Sequence, residues 1–137
     1  MASYFKFEGF VGYLGLAAVN CNTDTFKVYL SNAAPSASAD DVKGDLAEIT
    51  NENGYTAPVD IQNTYAEASG TGTCSVVDVV ITASGGTVGP FQYAVVYDDT
   101  HASDILVCSW NYGSAITLNS TETFTIDFGS NTLFTLA

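Results

Sequence analysis

VGPFQYAVVYDDTHASDILVCSWNYGS, residues 88–114, reads as two β-strands around one acidic loop. Phe91 to Tyr97 is dense in aromatic and β-branched residues, the types that suit a pleated, half-buried surface. From Ile105 to Tyr112 the pattern alternates, with Leu106, Cys108, Trp110 and Tyr112 on one face and Ser109 and Asn111 on the other. Between them Asp98-Asp99-Thr100-His101-Ala102-Ser103-Asp104 has the small, polar composition of a loop. The stretch predicts an antiparallel pair at the centre of a sheet, with the acidic loop at one end.

Outward from this pair, further strand signals recur at short intervals. Thr25–Ser31 (TFKVYLS) alternates and ends before Pro35. Val59–Ala68 is a mixed strand, and Cys74–Thr82 (CSVVDVVIT) is the most aliphatic run, with Asp78 at its middle. Ala115–Leu118, Thr123–Phe128 (TFTIDF) and Leu133–Leu136 follow. In TFTIDF the alternation puts Phe124, Ile126 and Phe128 inward and Asp127 outward. The expected fold is all-β: an antiparallel β-sandwich or jelly-roll of about eight strands. At most one short helix is expected, near residues 38–49, where Val42, Leu46 and Ile49 have helical spacing behind a Ser38 cap. Gly44 weakens that helix, and its acids form a solvated face.

The 137 residues fit one domain, with 47% apolar and only 13% charged residues. Residues 25–137 form the expected sandwich. Residues 1–24 form an aromatic N-terminal segment with Gly9, Gly12 and Gly15 interrupting it. Two readings of this segment stand side by side. It packs on its own core as a strand and a loop, or it is an arm that lays Tyr4, Phe5, Phe7, Phe10 and Tyr13 on a neighbouring subunit.

The net charge is −12, with fifteen acids against Lys6, Lys27 and Lys43 and no arginine. Such a chain does not neutralise a phosphate backbone, so nucleic acid is not an expected partner. The same sign disfavours anionic membrane surfaces. The start, MASYFKFEGF, lacks a basic region followed by an apolar run, and no window approaches a membrane span. Cys21, Cys74 and Cys108 are odd in number and widely spaced, which suits buried free thiols better than a disulfide framework or a zinc site.

Chemistry-bearing clusters are sparse. Asp98, Asp99 and Asp104 are weak candidate ligands for a hard cation such as Ca²⁺, without the spacing of an EF-hand. His101, the single histidine, shares their loop with Ser103, a poor place to preorganise a nucleophile and its base. Asp78 and Asp127 are the acids within apolar strands, and Lys27 is a conceivable partner for Asp78. Trp110, Tyr112, Tyr93 and Tyr97 either fill the core or form a platform on which a sugar stacks. No cofactor or catalytic residue is expected, and the residues by themselves describe a non-enzymatic all-β module.

Four stretches, TFKVYLSNAAP (25–35), LAEITNENGYTA (46–57), ASGGTVGPFQYAVVYDDT (83–100) and WNYGSAITLNSTETFTIDF (110–128), resemble in wording and order a family of small bacteriophage virion structural proteins. The resemblance runs from about Thr25 to the end and leaves out Met1 to Tyr13. It implies a structural protein of the virion and supplies no catalytic residues. Among jelly-roll proteins of this size are capsid decoration or cement proteins, which bind the outer shell and bridge its subunits. The expectation drawn from it is a protein made in the bacterial host cytoplasm and carried on the capsid surface. Its partners would be the major capsid protein and further copies of itself, as a dimer or trimer. The alternative is a tail, fibre or baseplate component that binds a receptor or glycan, and a hydrolase using Asp78 or His101 is remote.

Overall fold

The computed structural model describes residues 2–137. The central pair is there as the sequence predicts, as β7 (Val88–Asp98) and β8 (Ile105–Leu118), joined in antiparallel register with Ala94 opposite Trp110 and Val96 opposite Cys108. β8 is longer than expected, because the two strand signals at 105–112 and 115–118 run on as one strand. The other strands are β1 (Ser3–Lys6), β2 (Phe26–Ser31), β3 (Val59–Asp60), β4 (Thr64–Ala68), β5 (Thr71–Ser75), β6 (Val79–Thr82), β9 (Thr123–Ile126) and β10 (Thr132–Leu136). They form a five-stranded sheet in the order β1-β8-β7-β2-β3, a three-stranded sheet β10-β5-β4 and a two-stranded sheet β6-β9.

All named pairings are antiparallel, and the fold is all-β. The two small sheets together face the large one. Phe91 of β7 and Tyr112 of β8 both meet Phe124 of β9, at ring separations of 5.0 Å. Buried residues from all three sheets merge into one core. In β6 the alternation is plain, with Val79 and Ile81 buried and Val80 and Thr82 exposed.

The aliphatic run 74–82 is cut into β5 and β6, which belong to different sheets. At the break the Val76 N–H donates to Asn131 O and the Val77 N–H to Ile61 O, both at 2.9 Å. Asp78 Oδ1 accepts the Phe128 N–H at 2.9 Å. The carboxylate thus satisfies a backbone donor where the chain changes sheets. The mixed strand at 59–68 is likewise divided, into β3 and β4 on opposite layers.

The single α-helix is not where the spacing of Val42, Leu46 and Ile49 places it. α1 spans Glu8–Gly15, inside the glycine-punctuated segment, and 38–49 holds only a 3₁₀ turn at Lys43–Asp45. In α1, Phe10, Tyr13 and Leu14 stand at i, i+3 and i+4 against the core. Burial of such side chains contributes about 1.5–3 kcal/mol each, against roughly 1 kcal/mol lost per helical glycine. Packing decides.

At 36–45 the short polar side chains bond to the backbone instead. Asp40 Oδ2 accepts the Ser36 N–H, and Asp45 Oδ2 accepts the N–H groups of Asp41 and Val42. Val42 forms a β-bridge to Ile105, and Ile49 donates its N–H to Leu30 O at 3.0 Å. The segment 42–49 therefore crosses the outer face of the large sheet as a strap, from the edge of β8 to the edge of β2. This explains why 105–109 is buried on both faces rather than alternating.

Candidate functional site

The aromatic N-terminal segment lies against the domain that follows it. β1 pairs with β8, with Tyr4 opposite Trp110 and Lys6 opposite Cys108. Phe7 and Phe10 are buried in the chain's own core, Phe10 with its ring 5.3 Å from that of Phe134. Phe5 and Tyr13 are half-buried against the same core, and Tyr4 remains 40% exposed. Of the five candidate contact residues, Tyr4 is the most exposed, and its ring packs on that of Trp110 at 5.1 Å. Solvent also reaches Val11 (57% exposed) on α1 and Leu16 (79%) just past its end, beside Gly12 and Gly15, next to which there is open space.

The acidic loop does not gather its carboxylates. Asp98 is fully buried, opposite Phe26 of β2. Its Oδ1 accepts the N–H of Thr100 at 2.9 Å and of His101 at 3.4 Å, while Oδ2 has no partner among the described residues. Burial, reinforced by the nearby Asp24 carboxyl, pushes Asp98 up to about 7. Asp99 turns the other way, accepts the Tyr97 hydroxyl at 2.9 Å and pairs with Lys27 at 2.8 Å. The hydrogen bond from Lys27 holds it below the ordinary carboxylate range. Asp104 adopts a left-handed backbone, φ 51°, and its carbonyl accepts the Lys43 N–H of the strap. Among the described residues no three His, Cys, Asp or Glu side chains are grouped to hold a metal ion.

His101 Nδ1 accepts the Ser103 N–H at 3.1 Å, a contact within the loop. Lys27 serves Asp99 rather than Asp78. Tyr97 is buried on the outer face of the sheet, 5.8 Å from Tyr29, away from Trp110. The three cysteines are buried and free. Desolvation pushes Cys21 up to about 11, Cys74 up to about 12 and Cys108 well above its usual value.

One open groove combines aromatic and polar walls. It encloses about 440 Å³ where the middle of β8 faces the end of β9 and the turn that follows it, and is lined by Ala2, Trp110, Tyr112, Thr125, Asp127, Phe128 and Gly129. Trp110 and Tyr112 point the same way from β8, as the alternation predicts. The Trp110 ring lies 5.1 Å from both Tyr4 and Phe128, tilted to the first and edge-on to the second. Tyr112 meets Phe124 edge-on at 5.0 Å. Asp127 Oδ1 accepts the Gly129 N–H at 2.7 Å, which fixes the carboxylate at the rim. Burial and, after it, the Asp127 charge push Tyr112 up to about 12, so its hydroxyl keeps its proton. The outward alternation of Asp127 was legible in TFTIDF; its meeting with Trp110 across two layers was not. A second hollow of about 280 Å³ beneath α1 is walled mainly by Leu14, Val19, Cys21, Tyr65 and Leu136.

Comparison with known protein families, curated proteins and solved structures found no match.

Proposed function

We propose that the chain is a non-enzymatic virion structural protein of a bacteriophage, a decoration or cement protein that binds the outer capsid shell and bridges its subunits. Its partners would be the major capsid protein and further copies of itself. The observation that carries this reading is the outward face of α1. Beyond the exposed Glu8 of its first turn, Val11, Gly12 and Gly15, with Leu16 just past its end, give it a largely apolar surface on a chain of net charge −12. Tyr4, packed on Trp110, is 40% exposed in the same N-terminal segment. Apolar surface poor in charge is the composition of an interface centre, and strong charge elsewhere keeps the free protein dispersed. A module that binds only the assembled shell stabilises it by mass action. The resemblance of residues 25–137 to phage virion proteins points to the same setting.

Cryo-electron microscopy of the purified virion tests this. The expected result is copies arrayed over the icosahedral shell with α1 against a neighbouring subunit, and loss of those copies in particles carrying Val11→Asp or Leu16→Asp. Density confined to the tail or its fibres would overturn the shell assignment in favour of a tail component.

A further inference from the structure

We propose that the groove between Trp110, Tyr112 and Asp127 is a binding site for one neutral hexopyranose ring, such as the terminal sugar of a glycan. A pyranose has a face of C–H bonds and a rim of hydroxyls. The groove has the complement of both: aromatic walls from Trp110, Tyr112 and Phe128, and polar groups on Thr125, Asp127 and Tyr112. Its volume of about 440 Å³ lies within the roughly 300–1,000 Å³ usual for small-ligand sites.

The walls are held in place before any ligand arrives. Trp110 is fixed by Tyr4 and Phe128, and Tyr112 by Phe124, so stacking a sugar orders few side chains. Asp127 is fixed through Oδ1 by the Gly129 N–H, and no described residue bonds its other oxygen. That oxygen is free to accept from a sugar hydroxyl, a bond stronger than one between neutral groups. The protonated Tyr112 hydroxyl supplies a donor.

Charge selects among sugars. No lysine lines the groove, Asp127 stands at its rim, and the chain carries −12 overall. An anionic sugar or a phosphate would meet repulsion with no cation to offset it. The assignment does not depend on the shell reading, since a sugar site works equally on a capsid or a tail.

Trp110 is the sole tryptophan, so its fluorescence reports the groove directly. The full-length protein is titrated with methyl β-D-galactopyranoside and methyl α-D-mannopyranoside, with glycerol as solvent control. At least one glycoside is expected to give a saturable change with Kd of about 1–10 mM. Asp127→Asn, which keeps an acceptor for Gly129, is expected to weaken it about tenfold. A methyl α-sialoside is expected to give no saturable change. The assignment is overturned by the lack of a saturable response up to about 100 mM, by equal binding to Asp127→Asn, or by equal binding of the sialoside. Tyr112→Phe, which keeps the ring, provides a second variant: binding should weaken through loss of one hydroxyl while the far-ultraviolet spectrum stays unchanged.

Discussion

The Lys43 ammonium lies 4.8 Å from the centre of the Tyr29 ring and 5.6 Å from that of Tyr97, where the 42–49 strap crosses the large sheet. Its charge is matched by Glu48 at 3.2 Å, itself an acceptor for the Tyr55 hydroxyl. One of three cations in the chain is thus set between two tyrosine faces and a largely desolvated carboxylate. Lys43→Ala should lower stability by about 1–3 kcal/mol, through loss of the cation–ring contact and an uncompensated Glu48. Urea denaturation checks the value. The double variant Lys43→Ala, Glu48→Gln should recover part of the loss, because no buried charge is then stranded. Equal stability of Lys43→Ala and the parent would show that the strap is held by backbone bonds alone.

Asp98 predicts an unusual pH dependence. Burial and Asp24 raise it to about 7 in the folded chain, while an unfolded Asp titrates near ~3.9. The folded state therefore binds the proton more tightly. Its contribution is fully present below about pH 4, declines as pH rises towards about 7, and is gone above that. Asp45, held low by backbone N–H groups, and Asp99, held low by Lys27, act in the opposite sense. Their contribution is present above the ordinary carboxylate range and fades as pH falls. Asp98→Asn keeps an Oδ1 acceptor for Thr100 and His101 and removes the charge. At pH 8 it should be more stable than the parent by on the order of a few kcal/mol, with a flatter slope between pH 4 and 7. An unchanged slope would mean that Asp98 is hydrated and ordinary.

Phe10 separates the two readings of the N-terminal segment. Its ring packs on Phe134 within the same chain. Phe10→Ala should lower the stability of the isolated protein by about 3–5 kcal/mol, and Val11→Asp, on the exposed face, should change it little. An arm that ordered only on a neighbour would leave the isolated protein indifferent to both, which thermal melts would reveal.

How much of this was legible in the sequence follows from the range of the forces involved. The central pair is local: dense β-formers on both sides of a polar loop leave few alternatives, and β7 and β8 form as read. Trp110 and Tyr112 share a face for the same local reason. The helix was misplaced because Gly9, Gly12 and Gly15 are locally unfavourable, whereas the burial of Phe10 against Phe134 depends on residues more than a hundred positions away. At 38–49 helical spacing was real, but Val42 found a strand partner in Ile105 and the nearby aspartates bonded to the backbone. The burial of Asp98 was hidden for a related reason. It reads as the start of an acidic loop, yet its register opposite Phe26 carries it into the core.

The thiols should be silent in the folded protein. With Cys21, Cys74 and Cys108 buried and raised, an aromatic disulfide reagent at pH 8 should react with none of them until guanidinium is added, and then with all three. A thiol that reacts promptly in the native state would locate a breach in the core, and individual Cys→Ser variants would identify it.

Seclusion of the thiols matters beyond packing. Exchange and oxidation proceed through the thiolate, and at neutral pH a group raised to about 11 holds only on the order of one part in ten thousand in that form. The folded chain therefore carries its sulfur chemistry sealed inside. Released into air, it gains no cross-links and requires no reductant to remain as it was made.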